Sequence, residues 1–353
     1  MGDRAWLSID GSLGEGGGQI LRTCLALSLC LQRPFHMEPI RPRRSKPGIR
    51  HQHLAAVSAA AEVGRAHTRG AALDSSELYF EPGGVAPGDY RLDIGSAGST
   101  SLVLQTVLPA LLTAPGPSRI ELIGGTHNPG APTFEFLQQA FVPLVNQMGP
   151  TVGIHLKRAG FAPAGGGRVV VEIEPVPSLR PLWLLERGAL QSVQAVAMLA
   201  HLPEHIARRE LAVLAEELEL PGAALQTRIV EADGQGNALV VALACEALTE
   251  IIVGFGRRGL RAEAVAAWVA RGARQYLASG APVGEHLADQ LLLPLALAGE
   301  GGYVATTPTG HTTTNISVVS YFTGLSIDLR PLSRQRWYIG TGPLPATDPT
   351  AHG

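Results

Sequence analysis

Apolar segments of strand length and of helix length alternate along most of this chain, with a glycine or proline break at nearly every junction. Ala5-Trp6-Leu7-Ser8-Ile9 reads as a short strand within residues 4 to 11 that closes on Asp10-Gly11. A glycine-rich turn over 14–18 follows, and then Ile20, Leu21, Cys24, Leu25 and Leu27 recur at helical spacing until Pro34 ends the run. The same grammar predicts a strand over 35–40 and a helix over 53–63 stopped by Gly64. It continues with two short strands within 78–94 around Pro82-Gly83-Gly84, a helix over 100–113, a strand over 119–123 and a helix over 133–148. Strands then flank the loop 160–167, the second covering 168–173. Such alternation predicts α/β layers (an α+β arrangement of helices on sheets).

At 353 residues the chain exceeds one simple core. Near residue 180 the composition shifts. The stretch 184–280 carries an acidic helix with Glu210, Glu216, Glu217 and Glu219, few glycine clusters, and a strand-helix-strand-strand-helix order of its own. We expect it to be a small inserted βα domain, with 1–183 and 281–345 forming a large domain and 346–353 a loose tail. After the insertion a helix is expected over 284–299, followed by strands to the C-terminus. Gln105-Thr-Val-Leu108-Pro109 and Gln290-Leu-Leu-Leu293-Pro294 share the pattern Q-x-x-L-P inside leucine-rich helices. Each is followed by a glycine-containing turn, a strand and a histidine-bearing loop, which points to a repeated architecture.

Function classes narrow on composition. No run of about 18 uncharged apolar residues appears, so no membrane span or membrane partner is expected. The start, MGDRAWLSIDG, does not read as a signal peptide, and Trp6 stands where myristoylation wants Ser or Thr. Cys24, Cys30 and Cys245 are odd in number and form no CxxC, which fits reduced thiols and a cytoplasmic location. The net charge of −2 excludes a broadly basic surface, so any anion site must be local.

Five segments are candidates for chemistry. In 14–22, Gly-Glu-Gly-Gly-Gly-Gln-Ile-Leu-Arg, backbone amides and a helix N-terminus favour an anion, and Arg22 reaches back toward it. Glu15 would repel phosphate there unless a divalent cation lay between. The loop 41–53 places Arg41, Arg43, Arg44, Lys46 and Arg50 in ten residues without one acid, against the alternative of a solvated surface loop. The glycines of 161–173 alone suggest only a bend. In 308–319, His311 follows Gly310 among hydroxyl side chains and precedes an apolar strand or helix; a neutral imidazole there could carry a nucleotidyl group. In 284–294, Glu285 and Asp289 are spaced to share a helix face with a polar edge.

Together these segments resemble one family, the RNA 3'-terminal phosphate cyclases. The resemblance runs over about residues 5–340 and is carried by IDGSLGEGGGQILR, RSKPGIRHQHL, GSAGSTSLVLQTVLPALL, RAGFAPAGGG, VGEHLADQLLLPLAL and GHTTTNISVV. It implies a large domain of repeated units, each two helices on a four-stranded sheet, with a small domain inserted. It implies ATP-dependent closure of an RNA 3'-phosphate into a 2',3'-cyclic phosphate through a histidine–AMP enzyme intermediate and an RNA–adenylate. By the resemblance His311 is the nucleophile, with Arg22, Arg41 and Arg44 at phosphates and Glu15 on Mg²⁺ or Mn²⁺. The nucleotide site maps onto Gln105, His286, Leu287, Ala288, Asp289 and Gln290, with Pro132 and Phe136 near the adenine. His286 stands where relatives often carry an aromatic residue. The implied partners are ATP and RNA with a 3'-phosphate end, and a homodimer is compatible with the resemblance.

Two rival readings share parts of the pattern. A non-catalytic cyclase-like protein of ribosome biogenesis would lack the nucleophile, whereas His311, Glu15 and Arg22 stand here. An enolpyruvate-type transferase built from related units would carry no covalent histidine.

Overall fold

A computed structural model of the chain describes residues 5–342. The expected tail 346–353 and the first residues of the N-terminal reading lie outside the described residues. The first unit runs β1 (Leu7–Ile9), α1 (Gly18–Leu31), β2 (Phe35–Met37), α2 (His51–Val63), β3 (His67–Arg69) and β4 (Leu78–Glu81). Its sheet has the order β1-β2-β4-β3, with β1 and β2 parallel and the other pairs antiparallel. The second unit repeats this plan. It consists of β5 (Asp89–Asp93), α3 (Thr100–Leu111), β6 (Ser118–Gly124), a helix in pieces, β7 (Thr151–Arg158) and β8 (Gly167–Glu174), in the order β5-β6-β8-β7.

The third unit begins at β9 (Leu182–Leu184) and is interrupted. Between β9 and the helix that follows it, the chain builds a sheet of its own from β10 (Leu190–Ala200), β11 (Leu225–Ile229), β12 (Gly236–Cys245) and β13 (Thr249–Phe255). The helices α6 (His205–Glu217) and α7 (Ala262–Ser279) belong to this stretch. The interrupted unit then resumes with α8 (Glu285–Ala298), β14 (Gly301–Ala305), α9 (Gly310–Thr323), β15 (Asp328–Pro331) and β16 (Trp337–Gly340). Its sheet order, β9-β14-β16-β15, is that of the first two units.

Three sequence expectations change. The strands expected around Pro82-Gly83-Gly84 do not pair with each other: β4 closes the first sheet and β5 opens the second. Proline and two glycines here mark a link between units rather than a hairpin turn. The helix expected over 133–148 divides into α4 (Phe134–Phe136), a π-helical turn (Leu137–Phe141) and α5 (Val142–Gln147). No glycine breaks the run, so periodicity alone does not reveal the wider turn. The segment after β14 is not all strand, because α9 intervenes. Thr309 accepts the Thr312 N–H and Thr312 reciprocates toward the Thr309 N–H, so hydroxyl groups that weaken a helix interior here start one.

Packing places the helices at the centre. Alternate strand residues such as Phe35, Met37, Leu78 and Phe80 are buried against Leu21, Leu25 and Phe322. Helix α1 packs against both α3 and α9, and α8 packs against α9. The first helix of each unit (α1, α3 and α8) therefore lies on a shared apolar interior. No helix among the described residues is long and apolar enough to cross a membrane.

Candidate active site

The glycine-rich turn at 14–17 lies against the first turn of α9. Gly14 has φ +52, and a Cβ there would overlap the Thr314 hydroxyl; at Gly310 an added Cβ would come within 2.7 Å of Glu15 Oε1. The approach at Gly14 needs glycine, whereas at Gly310 the exposed Glu15 side chain could shift. These approaches bring Glu15 Oε2 to 3.1 Å from His311 Nε2. The guanidinium of Arg44 stands 4.0 Å from the same carboxylate. Glu15 and His311 both remain open to solvent.

Asp289 lies behind His311. It is buried, and Thr312 Oγ1 donates to its Oδ1 at 2.6 Å. Burial raises the Asp289 carboxyl above its usual range, opposed by the Thr312 hydroxyl and by His311 and His286. Asn315 donates to the Asp289 carbonyl at 3.3 Å and accepts from Thr23 Oγ1 at 2.8 Å, which ties α8, α9 and α1 together.

A cleft opens where the first helices of the three units converge. Gln19, Arg22 and Thr23 line it from α1, Gln105 from α3, and Asp289 and Gln290 from α8. The two Q-x-x-L-P glutamines meet across it, Gln105 Nε2 donating to Gln290 Oε1 at 2.7 Å. In α1 the sequence Arg22-Thr-Cys-Leu25-Ala26 occupies the corresponding place. Two polar atoms in this lining are sealed from solvent without a hydrogen-bond partner, the acceptor Gln19 Oε1 and the donor Arg22 Nε. Burial lowers Arg22 to about 10. An unpaired buried nitrogen on a charged guanidinium is costly, and an anionic ligand would relieve it.

The basic loop adds positive potential at the same end of α1. Arg41 has φ 51 and donates to the carbonyls of Lys46 at 3.1 Å and Gly48 at 2.8 Å, so it shapes the loop as well as charging it. Arg50 pairs with Asp74. His53 is buried, its Nδ1 accepts the Arg50 N–H at 3.2 Å, and an added Cβ on Gly18 would overlap its ring. Burial first, then Arg41, Arg22 and Arg50, push His53 down to about 3.

The other expected site residues differ in exposure and partners. His286 is exposed, with Nε2 3.6 Å from Glu285 Oε1. Leu287 and Ala288 are buried, the latter accepting from Tyr303 at 2.7 Å, so their side chains serve the core. Glu285 is exposed whereas Asp289 is buried, so these acids do not share an environment. Pro132 accepts from Ser101 at 2.7 Å, and Phe136 is buried in the core at 3% exposure. The aromatic ring lining the cleft is Phe141, one π-turn further along. The glycines of 160–167 hold structure: Gly160 N–H donates to Thr126 Oγ1 at 2.9 Å, and Phe161 stacks on His127 at 5.2 Å.

Thr23, Thr312, Asn315, Gln19, His53 and Phe141 join this constellation although the sequence pattern does not single them out. Asn315 carries a signal, since it follows His311 by four residues, one helical turn. Phe141 carries none, because its exposure to the cleft depends on the π-turn.

Comparison with known proteins agrees with this architecture. The model of the family described as RNA 3'-terminal phosphate cyclase matches residues 13–329. A Koribacter versatilis protein named RNA 3'-terminal phosphate cyclase is 50% identical over 324 residues, 91% of each chain. Proteins of the same name from Pseudomonas fluorescens and Salmonella agona are 50% and 49% identical, covering 93% and 92% of this chain and 96% and 94% of their own. The chain belongs to the RNA 3'-terminal phosphate cyclase family.

Proposed function

We propose that the protein converts an RNA 3'-phosphate end into a 2',3'-cyclic phosphate at the expense of ATP, through an adenylylated His311. The observation that carries this reading is the meeting of His311 Nε2 with Glu15 Oε2 at 3.1 Å beside Arg44, next to Thr312, which bonds the cleft residue Asp289. The imidazole nitrogen attacks the α-phosphorus of ATP. A P–N bond forms, the bond to the bridging oxygen breaks, and pyrophosphate leaves. A terminal RNA phosphate oxygen then takes the AMP from the histidine. Finally the adjacent 2'-hydroxyl, losing its proton, attacks the RNA phosphorus, and AMP departs. The last step is intramolecular, so the protein mainly has to orient the activated end.

The positive groups fit polyphosphate. Arg22, Arg41 and Arg44 supply charge, and Arg22, whose Nε has no partner, lines the cleft; Gln19 Oε1 is an acceptor and does not contribute to holding an anion. Glu15 is the carboxylate that would hold Mg²⁺ or Mn²⁺, and such an ion would mask phosphate charge. In this proposal Gln105, Asp289 and Gln290 position the nucleotide, with Phe141 a nearer aromatic surface for the base than Phe136 or Pro132. His286 stands at the outer edge of that site, with Leu287 and Ala288 behind it. We place the large domain at 1–183 and 281–345 and the insertion at 184–280, and expect a cytoplasmic protein.

The test is incubation with ATP labelled at the α-phosphate and Mg²⁺, followed by denaturing electrophoresis. Label should stay on the protein through an acid-labile, alkali-stable bond, and His311→Ala should lose it with the fold retained. Undiminished labelling of His311→Ala places the nucleophile elsewhere; no labelling of the unaltered protein favours a non-catalytic relative.

A further inference from the structure

The outer face of the first sheet carries a group of side chains with no part in the site described above. In β2 the burial pattern alternates: Phe35 and Met37 point into the core, which turns His36 to the opposite face. The β2–β4 register pairs His36 with Tyr79 and Met37 with Leu78. Continuing that register by one residue sets Glu38 beside Glu77, on the face of His36. Among the described residues, the ligand atoms of His36, Glu38 and Glu77 all lie within 4.8 Å of one another. His36 Nε2 is 3.9 Å from Glu38 Oε2 and 3.6 Å from Glu77 Oε2.

Three features make this more than a cluster of surface acids. The His36 ring is held in place, stacked on Tyr79 at 4.0 Å and 14°, while Arg69 covers Tyr79 at 3.7 Å. His36 Nε2, the nitrogen turned toward both carboxylates, is sealed from solvent and has no hydrogen-bond partner. Carboxylates placed opposite each other on neighbouring strands repel, and that cost falls if a cation lies between them. Backbone contacts fix both positions, since the Glu38 N–H donates to Ile9 at 3.1 Å and Ser75 Oγ donates to the Glu77 carbonyl at 2.8 Å.

We propose that His36, Glu38 and Glu77 form a binding site for a divalent transition-metal ion of the zinc class. Metal bonds of about 2.0–2.2 Å at tetrahedral angles set ligand atoms roughly 3.4 Å apart. The observed nitrogen–oxygen separations need only small side-chain rotations to match. One imidazole with two carboxylates suits zinc better than magnesium or calcium, which take oxygen ligands alone. The ion would bind the folded sheet and not the unfolded chain, so it would stabilise the first unit without touching the chemistry.

The test is equilibrium dialysis of the full-length protein against Zn²⁺, with thermal unfolding in Zn²⁺ and in Mg²⁺. The unaltered protein should hold about one equivalent of zinc more than His36→Ala. Its melting temperature should rise with Zn²⁺ and not with Mg²⁺. The double variant Glu38→Gln, Glu77→Gln keeps the shape of both side chains and decides the matter if His36→Ala fails to fold; it should lose the same zinc. His311→Ala should retain that zinc, which separates this site from the proposed nucleophile. Equal zinc uptake and an equal melting shift in the unaltered protein and the double variant would overturn the proposal.

Discussion

Gln105 Nε2 donates to Gln290 Oε1 at 2.7 Å, joining helices 185 residues apart in sequence. Both residues open the pattern Q-x-x-L-P, and in each helix the proline lies inside the helical run. Repeating one unit thus brings the same side chain to the same cleft from two directions. Each amide leaves hydrogen-bonding capacity beyond this contact. We expect Gln105→Ala and Gln290→Ala each to raise KM for ATP more than they lower kcat. A double-mutant cycle on kcat/KM should give a coupling of about 0.5–1.5 kcal/mol. Strict additivity would mean that the pair does not act as a unit.

Arg22 shows a conflict between stability and use. Its guanidinium is desolvated, and its Nε has no partner. Replacing a poorly compensated buried charge by a side chain of similar length is often neutral or stabilising. Arg22→Met should therefore leave thermal stability unchanged or raise it by about 1 kcal/mol. Label incorporation from ATP should nevertheless fall by about 100-fold. A parallel loss of melting temperature and labelling would show that Arg22 holds the fold instead of waiting for an anion.

The alternation of elements and the glycine breaks are legible in the sequence, because a strand and a helix leave different apolar periods. The family resemblance is legible too, in long motifs such as GHTTTNISVV. Local pattern does not reveal that β4 and β5 belong to different sheets, since pairing depends on distant partners. The widened turn that shows Phe141 to the cleft follows from packing, and apolar spacing hardly changes across it. Asp289 reads as the polar edge of an amphipathic helix; only the arrival of Thr312 from α9 makes its burial tolerable.

Glu250 on β13 links the sheet of the interrupting stretch to the start of α8. It is buried, and its Oε2 accepts the Gly284 N–H at 3.0 Å. Burial, reinforced by Glu285 and opposed by the Gly284 amide, pushes its carboxyl up to about 8. With the folded value above the ordinary 4.5, the native state holds a proton that the unfolded chain has released between those two values. Stability therefore falls as pH rises from about 4.5 toward 8, by on the order of a few kcal/mol. Glu210, raised to about 7 by burial, adds to the same slope. Glu250→Gln keeps an oxygen for the Gly284 amide and removes the ionisation. Melting temperature followed from pH 5 to pH 9 should fall less steeply in this variant. An unchanged slope would move the dependence to other groups.

The RNA end offers the sharpest test of the proposed order of steps. Transfer of AMP from His311 requires only an oxygen of the terminal phosphate. Closure requires the neighbouring 2'-hydroxyl as nucleophile, because a new P–O bond must form as AMP leaves. An oligomer ending in a 3'-phosphate with a normal last sugar should give the cyclic phosphate. The same oligomer with a 2'-deoxy or 2'-O-methyl last sugar should stop at the adenylylated end and accumulate there. Glu15 meets His311 with Arg44 beside it, a setting for phosphate and a cation, while Asp289 lies buried behind; no aromatic RNP1-like segment for reading bases occurs in the chain. Exchanging bases near the end should accordingly change the rate little, whereas removing the 3'-phosphate should abolish the reaction. Electrophoresis of end-labelled oligomers resolves the adenylylated and cyclic products. Cyclic product formed from the normal substrate by protein never exposed to ATP would sink the proposed sequence, because no activated phosphate would then precede closure.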